Sequence, residues 1–261
     1  MHFVDTHCHL NLMKTNGNLE LIIENAIRNG ITRILVPGID LESSIEAISI
    51  SEKYDLVYAA IGIHPNDANK WDDQSFTRLI ELSKHPKVKA IGEIGLDFYR
   101  DYSSHDSQKF VLSEQLRLSE LTNLPVVIHS RDAVSEIMDI LIKWKNSIVK
   151  RSYYGVMHSF EGNLQQAINI TSSGFFIGIA GPITYKNAQE KHEIGRSLPL
   201  EKILLETDSP FLAPHPLRGK TNEPANIKLI AEKIASLTEM PLKLVQQKTT
   251  INANILFAWE H

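Results

Sequence analysis

The chain has 261 residues, of which 43 % are hydrophobic and 22 % charged, ordinary globular usage that excludes a disordered or fibrous protein. Asp plus Glu number 31 and Lys plus Arg 27, and the formal net charge of -4 argues against a protein that coats nucleic acid through a broad basic surface. No apolar run nears the roughly 20 residues that span a bilayer, the start Met1-His2-Phe3-Val4-Asp5 lacks signal-peptide character, and the lone cysteine, Cys8, forms no internal disulfide, so the cytoplasm is the expected compartment.

In chain order, eight short β-branched runs recur at residues 2–6, 31–36, 56–61, 88–92, 125–128, 153–157, 174–179 and 202–206. Ile34-Leu35-Val36 and Val126-Val127-Ile128 lack polar alternation, as strands buried on both faces do. Helical spacing fills most gaps. Leu19, Ile22, Ile23, Ala26 and Ile27 form one apolar stripe, with Gly30 just past its end. Asp40 is placed to cap a helix carrying Leu41, Ile45 and Ile48. Phe110, Gln115, Leu116, Leu118 and Leu121 lie on a third helix that ends before Pro125, and Asp132 is placed to cap a fourth, with Ile137, Ile140, Leu141 and Trp144. Ile227, Ile230, Ala231, Ile234 and Ala235 repeat the spacing, and a short helix around Leu242 to Thr249 is expected to close the fold.

Eight strands alternating with helices fit a closed (β/α)₈ barrel or an open doubly wound sheet. No Gly-x-Gly-x-x-Gly follows any run, so the dinucleotide-binding form of the open sheet loses support. With no linker and no shift in composition, residues 1–261 read as one domain. The expectation is an α/β protein, a single (β/α)₈ TIM barrel of parallel strands with a C-terminal helical extension.

Metal-capable side chains fall at the carboxyl ends of these runs, the face on which barrel active sites lie. His7 and His9 follow the first, His64 the third, Glu93 the fourth, His129 the fifth, His158 the sixth, and Glu206 and Asp208 the eighth. The strand period of two points His7 and His9 to one side, so two imidazoles can converge on one metal, while Cys8 faces the helix layer. Glu93 is a carboxylate able to bridge two cations. His129 and His158 can each donate one nitrogen. Asp208 is the outer carboxylate of its run and the better ligand; Glu206, one layer deeper, is the candidate to orient ligands or water. These four imidazoles and two carboxylates suffice for two divalent cations sharing Glu93. Mixed nitrogen and oxygen donors suit Zn²⁺, Mn²⁺, Fe²⁺ or Co²⁺, and are not the ideal cage for Mg²⁺, which prefers oxygen. Mg, Mn and Zn all stay open as the native ion.

The segments around these residues follow the pattern of a known family. Asp5-Thr6-His7-Cys8-His9-Leu10, Gly62-Ile63-His64-Pro65, Gly92-Glu93-Ile94-Gly95-Leu96-Asp97, Val127-Ile128-His129-Ser130-Arg131, His158-Ser159-Phe160 and Leu205-Glu206-Thr207-Asp208-Ser209-Pro210 match it in order from end to end, as do Pro216 to Pro224, Asn254 and Phe257. The sequence resembles the TatD family of metal-dependent deoxyribonucleases, a branch of the amidohydrolase-like barrels. The resemblance implies a barrel, divalent metals and hydrolysis of DNA phosphodiesters, with His7, His9, Glu93, His129, His158 and Asp208 as the metal site. Related barrels often bridge their metals with a carboxylated lysine; here the corresponding strand offers Glu93, and Lys89 lies a layer too deep.

The remaining candidates concern substrate. His64, with no second ligand on its own strand, is a candidate phosphate contact or else a loop cap beside Pro65. Arg131 is placed to grip phosphate bidentately. Arg218 and Lys220 are candidates for a cationic rim, and Asp5 for an acceptor that fixes a histidine tautomer. The expected chemistry is attack of a metal-activated water on phosphorus, with Glu93, Asp208 and Glu206 as the catalytic carboxylates and DNA gripped locally at the metal face. The alternatives are a metal-dependent esterase or deacylase, for example on aminoacyl-tRNA, and a non-catalytic metal-binding scaffold.

Overall fold

The computed structural model describes residues 2–13, 19–100 and 102–259. Eight parallel strands, β1 (Phe3–Asp5), β2 (Ile31–Pro37), β3 (Val57–Ile61), β4 (Val88–Asp97), β5 (Val126–Arg131), β6 (Gly155–Met157), β7 (Phe175–Ile179) and β8 (Ile203–Leu205), pair in sequence order. Closure of β8 onto β1 comes from the residues just past them. Thr6 N–H donates to Leu205 O (3.0 Å), Asp208 N–H to His7 O (2.8 Å) and His9 N–H to Ser209 O (2.7 Å). The result is the expected (β/α)₈ barrel, and each sequence run contains or overlaps its strand.

Ten α-helices are described: α1 (Leu10–Met13), α2 (Leu19–Arg28), α3 (Leu41–Lys53), α4 (Ser75–Ser83), α5 (His105–Thr122), α6 (Val134–Ser147), α7 (Leu164–Ser172), α8 (Gln189–Ser197), α9 (Ile227–Thr238) and α10 (Leu242–Phe257). Asp40 does cap α3, accepting from Ser43 N–H at 2.9 Å while the Ser43 hydroxyl accepts from Asp40 N–H, a reciprocal capping box. Asp132 does not cap α6. It stands in the left-handed region (φ 52), which passes the N-cap position to Ala133, a residue with no side-chain acceptor. The apolar stripes are narrower than the sequence spacing suggests: Ile23 and Ala26 are buried, but Ile27, Ile45, Phe110 and Leu121 are more than half exposed. Phe110 and Leu121 lie on the face of α5 opposite its buried residues Val111, Leu112, Gln115, Leu116 and Leu118.

Two apolar layers hold the barrel. The inner one takes Val4, Leu35, Tyr58, Ala60, Ala90, Val127, Val156, Phe176 and Leu204, so all eight strands contribute. It is plugged by Ala253, Leu256, Phe257 and Trp259, with the Trp259 ring 4.6 Å from that of Tyr58. The closing helix therefore runs well past Thr249, to Phe257. Buried Asn252 fixes its position, donating through Nδ2 to Leu200 O (2.7 Å) and Ile203 O (2.8 Å) beneath β8. The outer layer, which includes Phe3 and Cys8, packs the strands against the helices. No helix among the described residues is long and apolar enough to cross a membrane.

One strand departs from expectation in a way that builds the site. The β-branched run ends at residue 92, but β4 continues to Asp97, with a register shift between Ile91 and Ile94. Gly95 (φ 152) permits it, because a Cβ there would collide with the carbonyl oxygen of its partner His129. Glu93 is thus held inside a paired strand directly beside β5.

Candidate active site

Six of the sequence candidates converge at the carboxyl ends of the strands. His7 and His9 follow β1, and their Nε2 atoms lie 3.1 Å apart. Glu93 Oε2 is 3.3 Å from His7 Nε2 and 3.6 Å from His9 Nε2, while Asp208 Oδ1 is 3.8 Å and 3.4 Å from the same two atoms. His158, after β6, stacks on His7 with ring centroids 3.5 Å apart, and its Nε2 lies 3.8 Å from Asp208 Oδ1 and 3.9 Å from Glu93 Oε1. From β5, His129 brings Nδ1 to 2.8 Å from Glu93 Oε1. Glu93 touches every part of the cluster.

The donor atoms fall into three trios, each within 4.8 Å: His7, His9 and Asp208; His7, Glu93 and His158; His64, Glu93 and His129. In these trios His158 sits with His7, and His64 joins His129. Hydrogen bonding separates His64 from the rest. It caps the short 3₁₀ turn Pro65–Lys70, where its Nδ1 accepts from Asn66 N–H at 3.1 Å. A neutral ring whose Nδ1 accepts carries its proton on Nε2. His64 therefore aims an N–H at the cluster, not a lone pair.

His129 and His158 have the opposite arrangement. His129 Nε2 lies 3.3 Å from Asp97 Oδ2, and His158 Nδ1 lies 3.0 Å from Glu206 Oε1, so a carboxylate stands behind each ring, placed to hold its outer N–H when a cation takes the inward nitrogen. Glu206 is fully buried behind His158 and also accepts from Ser159 N–H at 2.5 Å. Asp97 is the partner that sequence reasoning missed. It additionally accepts from Tyr99 N–H (3.1 Å) and Arg100 N–H (2.9 Å), which fixes the loop after β4. Its signal was parity, two β-periods beyond Glu93 on one strand.

The electrostatics follow. Burial alone would discharge His129 and His158, but Asp97 and Glu93 push the first up to about 9, and Glu206 and Asp208 push the second up to about 10. Burial and the neighbouring His129 push His64 down to about 3, which keeps it neutral. Burial also opposes charge on Glu93, yet the His7, His64 and His129 rings outweigh it and hold its carboxyl well below the usual range. Two ionised carboxylates facing four inward imidazole nitrogens form a donor set that fits divalent cations, and its nitrogen and oxygen chemistry is that of a transition-metal site.

The other candidates are placed as follows. Asp5 does not fix a histidine tautomer. Its carboxylate accepts from Thr207 N–H (2.9 Å), Thr207 Oγ1–H (2.6 Å) and His7 N–H (3.3 Å), so it ties β1 to the segment carrying Asp208. Cys8 is buried in the outer layer, away from the donor atoms. Arg131 lines the cleft above Glu93, its guanidinium 4.2 Å from the ring centroid of Tyr99. Arg218 and Lys220 do not line it; the Arg218 guanidinium lies over Tyr185 at 4.5 Å. The cleft measures about 570 Å³ and is also bordered by Arg100, Tyr102 and Phe211. A hollow of about 700 Å³ at the opposite mouth holds Arg151, whose guanidinium is already bonded to the Ser119 and Leu124 carbonyls.

Comparison with known proteins agrees with this geometry. Residues 4–258 match the family model described as TatD related DNase. The metal-dependent hydrolase YabD of Bacillus subtilis is 42 % identical over 253 residues, covering 97 % of this chain and 98 % of YabD. An Escherichia coli protein named 3'-5' ssDNA/RNA exonuclease TatD is 32 % identical over 241 residues, covering 90 % of this chain and 91 % of its own. The crystal structure of the TatD homologue YjjV from Escherichia coli superposes with a TM-score of 0.92 at 32 % identity, covering 99 % of this chain and 98 % of YjjV.

Proposed function

The chain belongs to the TatD-related family of metal-dependent hydrolases, and from that premise we propose that residues 1–261 act as one domain that hydrolyses phosphodiester bonds of single-stranded DNA at a site for two divalent cations. One observation carries this reading: the inward nitrogens of His7 and His9 lie 3.1 Å apart, and the carboxylates of Glu93 and Asp208 each come within 3.8 Å of both, in a cleft that also holds Arg131.

In this reading His7 and His9, which face Glu93 Oε2, would hold one cation with Glu93 and Asp208, and His129 and His158, whose inward nitrogens both face Glu93 Oε1, would hold the other. When bound, such cations act as Lewis acids and make water a nucleophile at neutral pH. The chain's own residues do the rest. Asp208, at the edge of the cleft, takes the proton of the attacking water. Arg131 pairs with a non-bridging phosphate oxygen, its plane fixed by Tyr99. His64 donates its Nε2–H to the phosphate as charge develops. Asp97 and Glu206 hold the His129 and His158 rings in register and act only through them. The buried walls around Glu93 and Glu206 exclude bulk water behind the reacting group.

Phosphorus and carbonyl centres both use a hydroxide equivalent and a Lewis acid, so the substrate is decided by assay. The metal-loaded protein is incubated separately with end-labelled single-stranded DNA and with an aminoacyl-tRNA. Shortened DNA with the aminoacyl ester intact supports the nuclease reading; ester hydrolysis with DNA untouched overturns it in favour of a deacylase. Turnover of neither, with metal loaded, leaves a non-catalytic scaffold.

A further inference from the structure

Four aromatic side chains among the described residues are exposed, and three of them, Tyr99, Tyr102 and Phe211, stand at the strands' carboxyl ends. Tyr99 is engaged by Arg131. Tyr102 and Phe211 line the cleft itself, 66 % and 51 % exposed, and neither belongs to the metal-binding set. They come from different loops, Tyr102 following β4 and Phe211 following β8, so they border the carboxylate cluster from separate sides of the barrel mouth.

Both are anchored. Phe211 lies three residues past Asp208; its N–H donates to Asp208 O at 2.8 Å, and its carbonyl accepts from Nδ2 of the fully buried Asn222 at 2.8 Å. Its ring meets the His9 ring edge-on, with centroids 6.0 Å apart. Tyr102 precedes buried Ser103, whose Oγ accepts from Asn69 N–H (3.1 Å) and donates to Asn66 O (3.1 Å). Asn66 is also the residue whose N–H sets the His64 tautomer. Exposed rings on pinned backbones, beside a phosphate-sized cluster with Arg100 and Arg131 in the same cleft, are the pattern by which proteins bind unpaired bases.

We propose that Phe211 and Tyr102 are specificity-determining stacking platforms for the two nucleobases that flank the reacting phosphate. The inference rests on the nuclease reading above and adds the residues that select an unpaired strand. In a duplex, base faces are covered by their neighbours and reach neither ring. Stacking on an aromatic is blind to base identity, so these platforms select single strands without selecting sequence.

The test uses the metal-loaded protein and a short single-stranded oligodeoxynucleotide, protected by phosphorothioate linkages and carrying a fluorescent purine analogue beside the central phosphate. A matching strand has abasic sites there. With the wild type, binding quenches the fluorophore, and the abasic strand binds more weakly. Phe211→Ala and Tyr102→Ala each weaken binding of the base-bearing strand by about tenfold, leave binding of the abasic strand unchanged and keep full metal content. Phe211→Trp and Tyr102→Phe restore both affinity and quenching, which a merely structural role would not. Equal affinity of wild type and alanine variants for the base-bearing strand overturns the inference, as does equal wild-type affinity for the two strands. If the wild type cleaves unprotected single strands in those cases, the nuclease reading survives; if it neither binds nor cleaves them, both fall.

Discussion

His64 Nε2 lies 3.6 Å from Glu93 Oε1, and the proton on that nitrogen is fixed from the other side of the ring by Asn66 N–H. A neutral imidazole held in this tautomer donates a hydrogen bond and does not ligate a cation through the same atom. That distinction separates His64 from four histidines of the same residue type within the same cluster, and it leads to the first prediction. His64→Ala should leave metal content unchanged and lower turnover of single-stranded DNA by about 10²–10³-fold, the usual cost of one preorganised donor. His64→Gln, which keeps an N–H, should recover part of the loss. Elemental analysis beside steady-state kinetics decides it; loss of a full equivalent of metal from His64→Ala would make it a ligand.

Asp97 and Glu206 touch no substrate, so their effect should appear in metal affinity. Removing the carboxylate behind a ligating histidine costs about 10–100-fold in affinity in comparable sites. Asp97→Asn and Glu206→Gln should therefore each need about that much more metal for half-maximal activity, with turnover at saturating metal less affected. Metal titrations of both variants measure this. An unchanged titration curve would mean that the rings are held by packing alone.

The pH dependence has a definite sign. In the metal-free chain His129 and His158 are raised from 6.5 to about 9 and about 10 by their carboxylate partners, so both carry protons at neutral pH. Their contribution to stability is fully present below about 6.5 and is lost as the pH climbs through 9–10. Cations must displace those protons. Apparent metal affinity should rise between pH 6.5 and 9, releasing about two protons per chain. Calorimetry of Mn²⁺ binding in buffers of different ionisation enthalpy counts them. Affinity flat across that window would contradict histidine ligation at these two positions.

The barrel floor offers a prediction about stability alone. Trp259 is buried, its ring centroid 4.6 Å from Tyr58 and 4.9 Å from Phe257. Trp259→Ala should cost about 3–5 kcal/mol and lower the melting temperature by on the order of 10 °C, with kcat of the folded protein retained because the site lies at the opposite mouth. Thermal unfolding beside an activity assay separates the two effects.

How far the sequence carried the fold and the site depended on the range of the interaction. Strand runs were legible because burial on both faces leaves an unbroken apolar signature at each run. Histidines and carboxylates at strand ends were legible because strand parity and chain order alone group them. Properties set by backbone conformation or by a three-dimensional partner were not. Asp132 looks like a cap until its left-handed backbone is seen. The tautomer of His64 depends on a turn, and Asp97 needed the extension of β4 past residue 92, which Gly95 permits against His129. Arg218 follows an active-face strand, yet its loop lays it on Tyr185. Tyr102 and Phe211 carry no motif at all, and only their shared cleft makes them notable.

Glu93 is the group that every trio of the cluster either contains or touches. Metal content and hydrolysis of end-labelled single-stranded DNA should be measured together on wild type and Glu93→Gln, a change that keeps size and removes only the charge. The wild type should hold two divalent cations and the variant at least one fewer, with turnover reduced by more than about 10³-fold, beyond the usual effect of a single stabilising group. Full metal content together with wild-type cleavage in Glu93→Gln would contradict this.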